Sequence, residues 1–429
     1  MVMACKFSAG GVERSANVEA AAHFARGLTL IQDLPQSEDR LRLEIQFQTA
    51  IGVTMMATKG WGAPEVLQAY SAAKILCERL GDPSELFTVL RGEGQYRMIS
   101  GNLRAADELA RQCMQLAENA ADPAFILEAH HLFWSNSLYM GDYAAAEFHA
   151  NEGIARYDPV EHHPLTYKYS GHDPGVCCRA SSALLLWLRG YPDQAVNRCN
   201  EARTLANQVR HPLTMALAYR YLSYVHLLRR EVDEGRRWAE KQVEISKKYA
   251  LPFLLSQGEF ELGWAFAEHG HVAQGIEQTR NGITRIRATG AGMELPFLLS
   301  VLAHAYLDSG ALREAAATLD EAMSLAAEAR ALHQFPELLR TKGELLLLQD
   351  QDHPSVAQAC FQQAVTAARE QGAKSLELRA AISLSRLWRD QGKVSEAREL
   401  LAPVYGWFTE GFDTRDLREA KALLEELAA

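Results

Sequence analysis

The densest gathering of chemically capable side chains lies in one stretch, "YDPVEHHPLTYKYSGHDPGVCC", residues 157–178. It holds Glu161, His162, His163, His172, Asp173, Cys177 and Cys178, the carboxylate, imidazole and thiol donors that transition metals take. A structural reading competes with that chemistry. Asp173-Pro174 has the types of a helix N-cap followed by proline at the first helical position, opening the helix that continues "GVCCRASSALLLWL". Cys177 and Cys178 then leave that helix in adjacent directions and cannot easily share a small ion. The structural reading weighs more. The stretch is expected to be an ordered loop that carries contacts, with His163, His172 and Asp173 as candidate partner-binding residues and no metal or cofactor.

A second run, "YRYLSYVHLLRR", places Arg220, Tyr221, Tyr224 and His226 on one helix, with Arg229 and Arg230 close by. On the inner face of a helical array these would suit an acidic or extended peptide, and Arg220, Tyr221 and Tyr224 are the candidate partner-binding residues. The competing reading is that several of the tyrosines pack in the core and the arginines form a solvated face. It is the stronger one, because aromatic residues at helical spacing usually pack. Trp264, Trp388 and Trp407 are assigned to the core on the same ground. Gly392-Lys393 is the nearest approach to a phosphate-binding loop, but Leu387 stands where the first glycine belongs and Val394 follows the lysine. No HExxH, GxSxG or CxxC pattern occurs, so no catalytic residue is assigned and the chain is read as non-enzymatic.

Composition narrows the partners. Of 429 residues, 48% are hydrophobic and 23% charged, enough to bury a full core. A net charge of −10 argues against nucleic acid and anionic membrane, which both want clustered Lys and Arg. Seven scattered cysteines suit a reducing, cytoplasmic setting. No run reaches the roughly 18 apolar residues that a spanning helix needs.

The elements that must carry these residues recur at a fixed interval. Turn markers stand at Gly101, Gly141, Gly190, Arg230, Gly270, Gly310, Asp352 and Gly392, and prolines at Pro83, Pro123, Pro212, Pro252, Pro296 and Pro336. Proline suits a helix start and glycine a helix end, so each unit reads proline, helix A, turn, helix B. Five residues past each marker stand Ala106, Ala146, Ala195, Gly235, Gly275, Ala315, Ala357 and Ala397, all small. Seven residues before it, Gly94, Ala183, Ser223, Gly263, Ala303 and Ser385 are small as well, while Trp134 and Leu345 break the rule. Small residues there let helix B approach helix A closely. This is the tetratricopeptide (TPR) pattern at 40 residues instead of about 34. It predicts an all-α, right-handed solenoid of about nine TPR-like helix pairs. Residues 1–16 are expected to be irregular, 17–412 to form the array, and 413–429 to be a charged capping helix led by Asp413. The first helix, "SANVEAAAHFARGLTLIQDL", reads as a helix B with no helix A before it, so the chain is expected to begin halfway through a repeat. Its apolar face could pair with its counterpart in a second molecule, giving a homodimer.

Several segments carry a more specific likeness. "RSANVEAAAHFARGL", "MMATKGWGAPEVLQAYSAAKILCERLGD", "YDPVEHHPLTYKYSGHDPGV", "LWLRGYPDQAV" and "LLAPVYGWFTEGFDTRDLREAKALLEEL" resemble the C-terminal TPR region of large bacterial signalling proteins. Those proteins carry a class III adenylate/guanylate cyclase domain and an AAA-type ATPase domain ahead of this region. The resemblance implies a regulatory or protein-interaction role coupled to those domains, with a protein or peptide partner in the concave groove. A small-ligand sensor, with its effector inside the superhelix, is the rival; an enclosed pocket with convergent polar groups would favour it.

Overall fold

The computed structural model describes residues 14–350 and 354–428. The Asp352 turn and most of the irregular N-terminal segment lie outside them; the first helix, Arg14–Leu30, already begins within the span expected to be irregular. Nine A/B helix pairs follow among the described residues, from Glu38–Lys59 with Pro64–Leu80 to Lys374–Asp390 with Val394–Gly406, in a right-handed TPR-like solenoid. A last helix, Arg415–Glu426, closes the end. No described helix is long and apolar enough to cross a membrane.

Local sequence accounts for most helix ends. Asp82 and Asp122 cap the helices Pro83–Ile99 and Pro123–Met140, accepting from the backbone N–H of Ser84 (2.9 Å) and Ala124 (2.8 Å), which satisfies donors that a helix start leaves open. The glycine turns adopt the left-handed conformation, from φ +76° at Gly310 to +94° at Gly101, where a Cβ is disfavoured. Arg230 holds φ +60° at the same place in its unit. Four B helices end in that conformation without a glycine, at Ala121, Arg210, Ala250 and Arg330, while Gly81 and Gly372 supply it at two others. The expected cap Asp413 is displaced: the chain makes a turn in which Thr414 N donates to Gly411 O (2.9 Å), and the helix starts at Arg415.

The small positions lie where the helices cross. Ala106, Ala195, Ala315 and Ala397 are buried, and a Cβ on Gly275 would sit 2.6 Å from the backbone nitrogen of Ala267. Trp134, one of the two exceptions, is fully buried because the paired helix Tyr143–Arg156 supplies the small residue: a Cβ on Gly153 would fall 2.4 Å from the indole. At the N-terminal end, Arg14–Leu30 packs on Glu38–Lys59 with Phe24 against Phe47, ring centroids 6.2 Å apart. Val18 and Leu30 of that helix stay exposed.

The superhelix is wound so tightly that successive turns touch. The carbonyl of Ile99 accepts from Gly292 N (2.8 Å), that of Tyr139 from His333 N (3.0 Å), and that of Trp187 from Ser375 Oγ (2.5 Å). Each bond joins the end of one helix A to the start of another, one turn further along. At Gly62 and Gly290 the two backbones meet, and a Cβ on Gly290 would lie 2.0 Å from the Gly62 oxygen. The inner helices Pro174–Leu188 and Pro212–Leu228 are therefore buried almost all round.

Gly290 and Gly310 share φ +76°, but nothing lies within 4 Å of a Cβ at Gly310. Gly310→Ala should cost about 1–2 kcal/mol, the left-handed penalty for an L-residue. Gly290→Ala should cost a further ~1–3 kcal/mol, because overpacking at a fixed backbone contact forces strain. Urea unfolding midpoints of the two variants check this; equal losses would mean that the turns do not press on each other in solution.

Candidate functional site: the charged interior of the superhelix

Winding the A helices inward carries polar side chains from many of them into a shared, buried centre. Burying an ion there is costly unless it is paired. The arginines of this centre are paired with carboxylates, some within one helix and some across turns. Glu294 is the densest point of this pairing. Its Oε1 accepts from Arg220 Nη2 (2.5 Å) and from the Tyr139 hydroxyl, and its Oε2 accepts from Gln257 Nε2 (2.5 Å). Arg220 also lies over the rings of Tyr221 (5.0 Å) and Tyr224 (5.6 Å), a favourable cation–π placement. Tyr224 OH accepts in turn from Gln334 Nε2 (2.9 Å). Burial would pull the Arg220 pKa down, but the Glu294 charge outweighs it and holds the guanidinium firmly protonated.

The tyrosines of the "YRYLSYVHLLRR" run thus sit in the interior as expected, but its arginines are no solvated face. Arg220 and Arg229 are each 6% exposed, because this helix has neighbours on every side. Trp264 is buried too, while Trp388 and Trp407 are half-buried beside the C-terminal core.

Between Arg230, Trp264, His304, Glu337, Arg340 and Arg379 remains a cavity of about 50 Å³. Arg340 pairs with Glu337 (2.7 Å) and Glu344, and Arg379 with Asp416 (2.7 Å). Arg379 Nη2 also donates to the carbonyl of Leu228 (2.5 Å). Arg230 reaches Asp416 and Glu419, both at 3.5 Å. Burial would raise the Glu337 pKa, yet the Arg340 charge prevails and keeps it well below the usual carboxylate range. The C-terminal helix therefore does more than shield the core: its acids fasten it to arginines of two earlier units. Glu261, by contrast, has a buried Oε2 without a hydrogen-bond partner among the described residues. Burial pushes its carboxyl up to about 8 against the pull of Arg220.

The insertion divides its donors. Asp173 caps its helix through Val176 N (2.9 Å), and its other oxygen accepts from the Tyr157 hydroxyl (2.8 Å) and meets His163 Nδ1 (2.9 Å). His162 Nδ1 accepts from Asp158 N (2.9 Å), and Cys178 Sγ lies 3.2 Å from the Gly175 carbonyl. Glu161 is exposed on the surface of the loop. His172 and Cys177 instead turn inward to His131, which belongs to the preceding helix A. Sequence reasoning missed His131, Glu128 and Arg91, the partners of that region. For Glu128 and His131 a signal was present: a carboxylate and an imidazole on the largely apolar helix Pro123–Met140.

The fold and this interior define a TPR-like helical repeat protein. No family model matches the chain. An uncharacterized protein of Rhizobium meliloti (strain 1021) is 24% identical over 386 residues, 89% of this chain and 37% of the relative. The chain thus spans little more than a third of that relative's length. Among solved structures, a Rap protein complexed with competence and sporulation factor superposes with a TM-score of 0.61 at 13% identity, covering 83% of this chain and 99% of that one. The Rap conjugation gene regulator of plasmid pLS20, in complex with the Phr* peptide, gives 0.53 at 10% identity, covering 90% and 96%. At such identities the likeness is one of fold.

Glu294→Ala leaves Arg220 buried without its counter-ion and should cost ~3–5 kcal/mol of stability; a chemical unfolding midpoint moved by less than 1 kcal/mol, on the order of a surface pair's worth, would contradict the pairing. Glu261 predicts a pH signature. A carboxyl whose folded pKa lies above its unfolded value keeps its proton better when folded, so it costs stability increasingly from about pH 4.5 to about 8. Arg220, Glu294 and Ser223 face it, and none of them is altered in Glu261→Gln. The thermal midpoint of that variant should exceed wild type by a margin that widens over the same pH range.

Proposed function

We propose that this chain is a non-catalytic regulatory region that takes a protein or peptide partner and is coupled, in a longer parent, to nucleotide-cyclase and ATPase domains. The observation that supports it best is how the interior uses its ionisable groups. Arg220 and Glu294 pair from one turn to another, Arg379 and Asp416 fasten the last helix, and Arg340 and Glu337 pair within one helix, whereas a catalytic site leaves such groups convergent on a cleft that substrate can enter. The length relation to the Rhizobium protein supports a longer parent. The Rap conjugation gene regulator with its bound peptide supports a peptide-sized partner for this architecture.

In this reading Arg220, Tyr221 and Tyr224 set the winding of the superhelix, and a partner acts on that winding. His163, partly exposed beside the buried Asp173 and His172, marks the insertion's outer surface as one contact. An acidic segment would compete with Asp416 and Glu419 for Arg230 and Arg379, loosening the C-terminal helix. A small-ligand sensor would need a larger site: the partly open cavity of about 50 Å³ suits water-sized guests, far below the ~300 Å³ of ordinary ligand sites.

The test uses the longest natural chain that contains these 429 residues. Its ATPase and cyclase rates should change several-fold when this region is deleted, and the region alone should turn over neither ATP nor GTP. Turnover by the isolated region, or equal rates with and without it, would overturn the reading.

A further inference from the structure

We propose that His131, His172 and Cys177 form a buried transition-metal site, with zinc as the ion whose chemistry fits best. Their three donor atoms lie within 4.8 Å of one another. All three side chains are buried. They come from three places that only the folded chain brings together: helix Pro123–Met140, the end of the insertion, and helix Pro174–Leu188.

The surroundings fix the direction of both imidazoles. His131 Nδ1 lies 3.2 Å from Glu128 Oε2, and His172 Nδ1 lies 3.1 Å from the Ser170 carbonyl. Both partners accept, so each ring carries its hydrogen on Nδ1 and turns a bare Nε2 inward. Those two Nε2 atoms are 3.2 Å apart. Two lone pairs at that distance repel unless a cation stands between them. With Zn–N bonds near 2.0–2.1 Å and tetrahedral angles, two imidazole nitrogens on one zinc would be about 3.3 Å apart.

The outer shell is itself braced, as metal-ligating histidines require. Arg91 Nε donates to Glu128 Oε2 (2.9 Å) and Arg91 Nη2 to Ser170 Oγ (2.7 Å). The Trp61 indole donates to the Ser170 carbonyl (2.8 Å), and the Trp134 ring stacks on His131 at 4.5 Å. The donor set of two imidazoles and one thiolate suits zinc better than magnesium or calcium, which prefer oxygen. Binding is balanced as Zn²⁺ plus the Cys177 thiol giving the zinc thiolate and one proton released to solvent. Three protein donors leave a fourth position to water. The ion would staple the insertion to the preceding helix A. The structural role expected for this loop and a metal in it are then one device.

The experiment titrates Co²⁺ and Zn²⁺ into the chelator-treated full chain. The expected result is one ion per chain, visible d–d bands of tetrahedral cobalt, a thiolate-to-cobalt charge-transfer band, and a thermal midpoint that zinc raises and chelator lowers. Cys177→Ser should abolish the charge-transfer band. Cys178→Ser, next to it in sequence but with its thiol donating to the Gly175 carbonyl, should keep the band; this comparison stands even if Cys177→Ser folds poorly. Substoichiometric metal, no charge-transfer band in wild type, and a chelator-insensitive midpoint would overturn the site and leave a shared proton between the two rings.

Discussion

The contact on which this architecture turns is the meeting of Glu294 with Arg220, Gln257 and Tyr139. A solenoid whose repeats touch only their sequence neighbours can open and close like a spring, since no bond spans a turn. Here one carboxylate gathers three donors from helices of earlier units. It sits beside Gly290, where the backbone itself abuts Gly62. The glycine closes the distance and the ion pair makes that closeness favourable. With the turn shut, the central A helices lose their open side, which is why Pro174–Leu188 and Pro212–Leu228 carry apolar residues on nearly every face.

A shut superhelix has a consequence for its charges. Each ion brought into the centre must find a counter-ion; Arg340 finds one on its own helix, Arg220 only on another turn. Arg379 spans three units, bonding the Leu228 carbonyl and the Asp416 carboxylate at once. The same logic explains Arg230, the only non-glycine among the described A-to-B turn markers: its left-handed backbone is strained, and its guanidinium reaches the C-terminal helix. Local strain persists where surrounding contacts over-determine it. Closure, charge pairing and end-capping are therefore one arrangement, and a partner that changes one of them acts on all.

The insertion obeys the same constraint. Its 49-residue step interrupts the period between Gly141 and Gly190, and the extra chain does not loop out freely. Trp61, from the first pair, donates to Ser170 inside it, and Arg91 reaches Ser170 and Glu128 together.

Much of this was legible in the residues alone. The 40-residue spacing of glycine, proline and small residues specified helix pairs, their boundaries and their crossings, because those depend on local backbone preference and on the nearest helix. Asp122-Pro123 and Asp173-Pro174 announce helix starts for the same reason. The misplaced cap at Asp413 shows the limit even there, since a turn closed by Gly411 decided it. Tertiary structure alone decided how far the solenoid winds. It also decided that Arg220 faces Glu294 and that His131 meets His172 and Cys177. Those pairs are tens of residues apart and belong to different units. Their proximity follows from a small rotation repeated at every helix crossing, and no local preference encodes that sum.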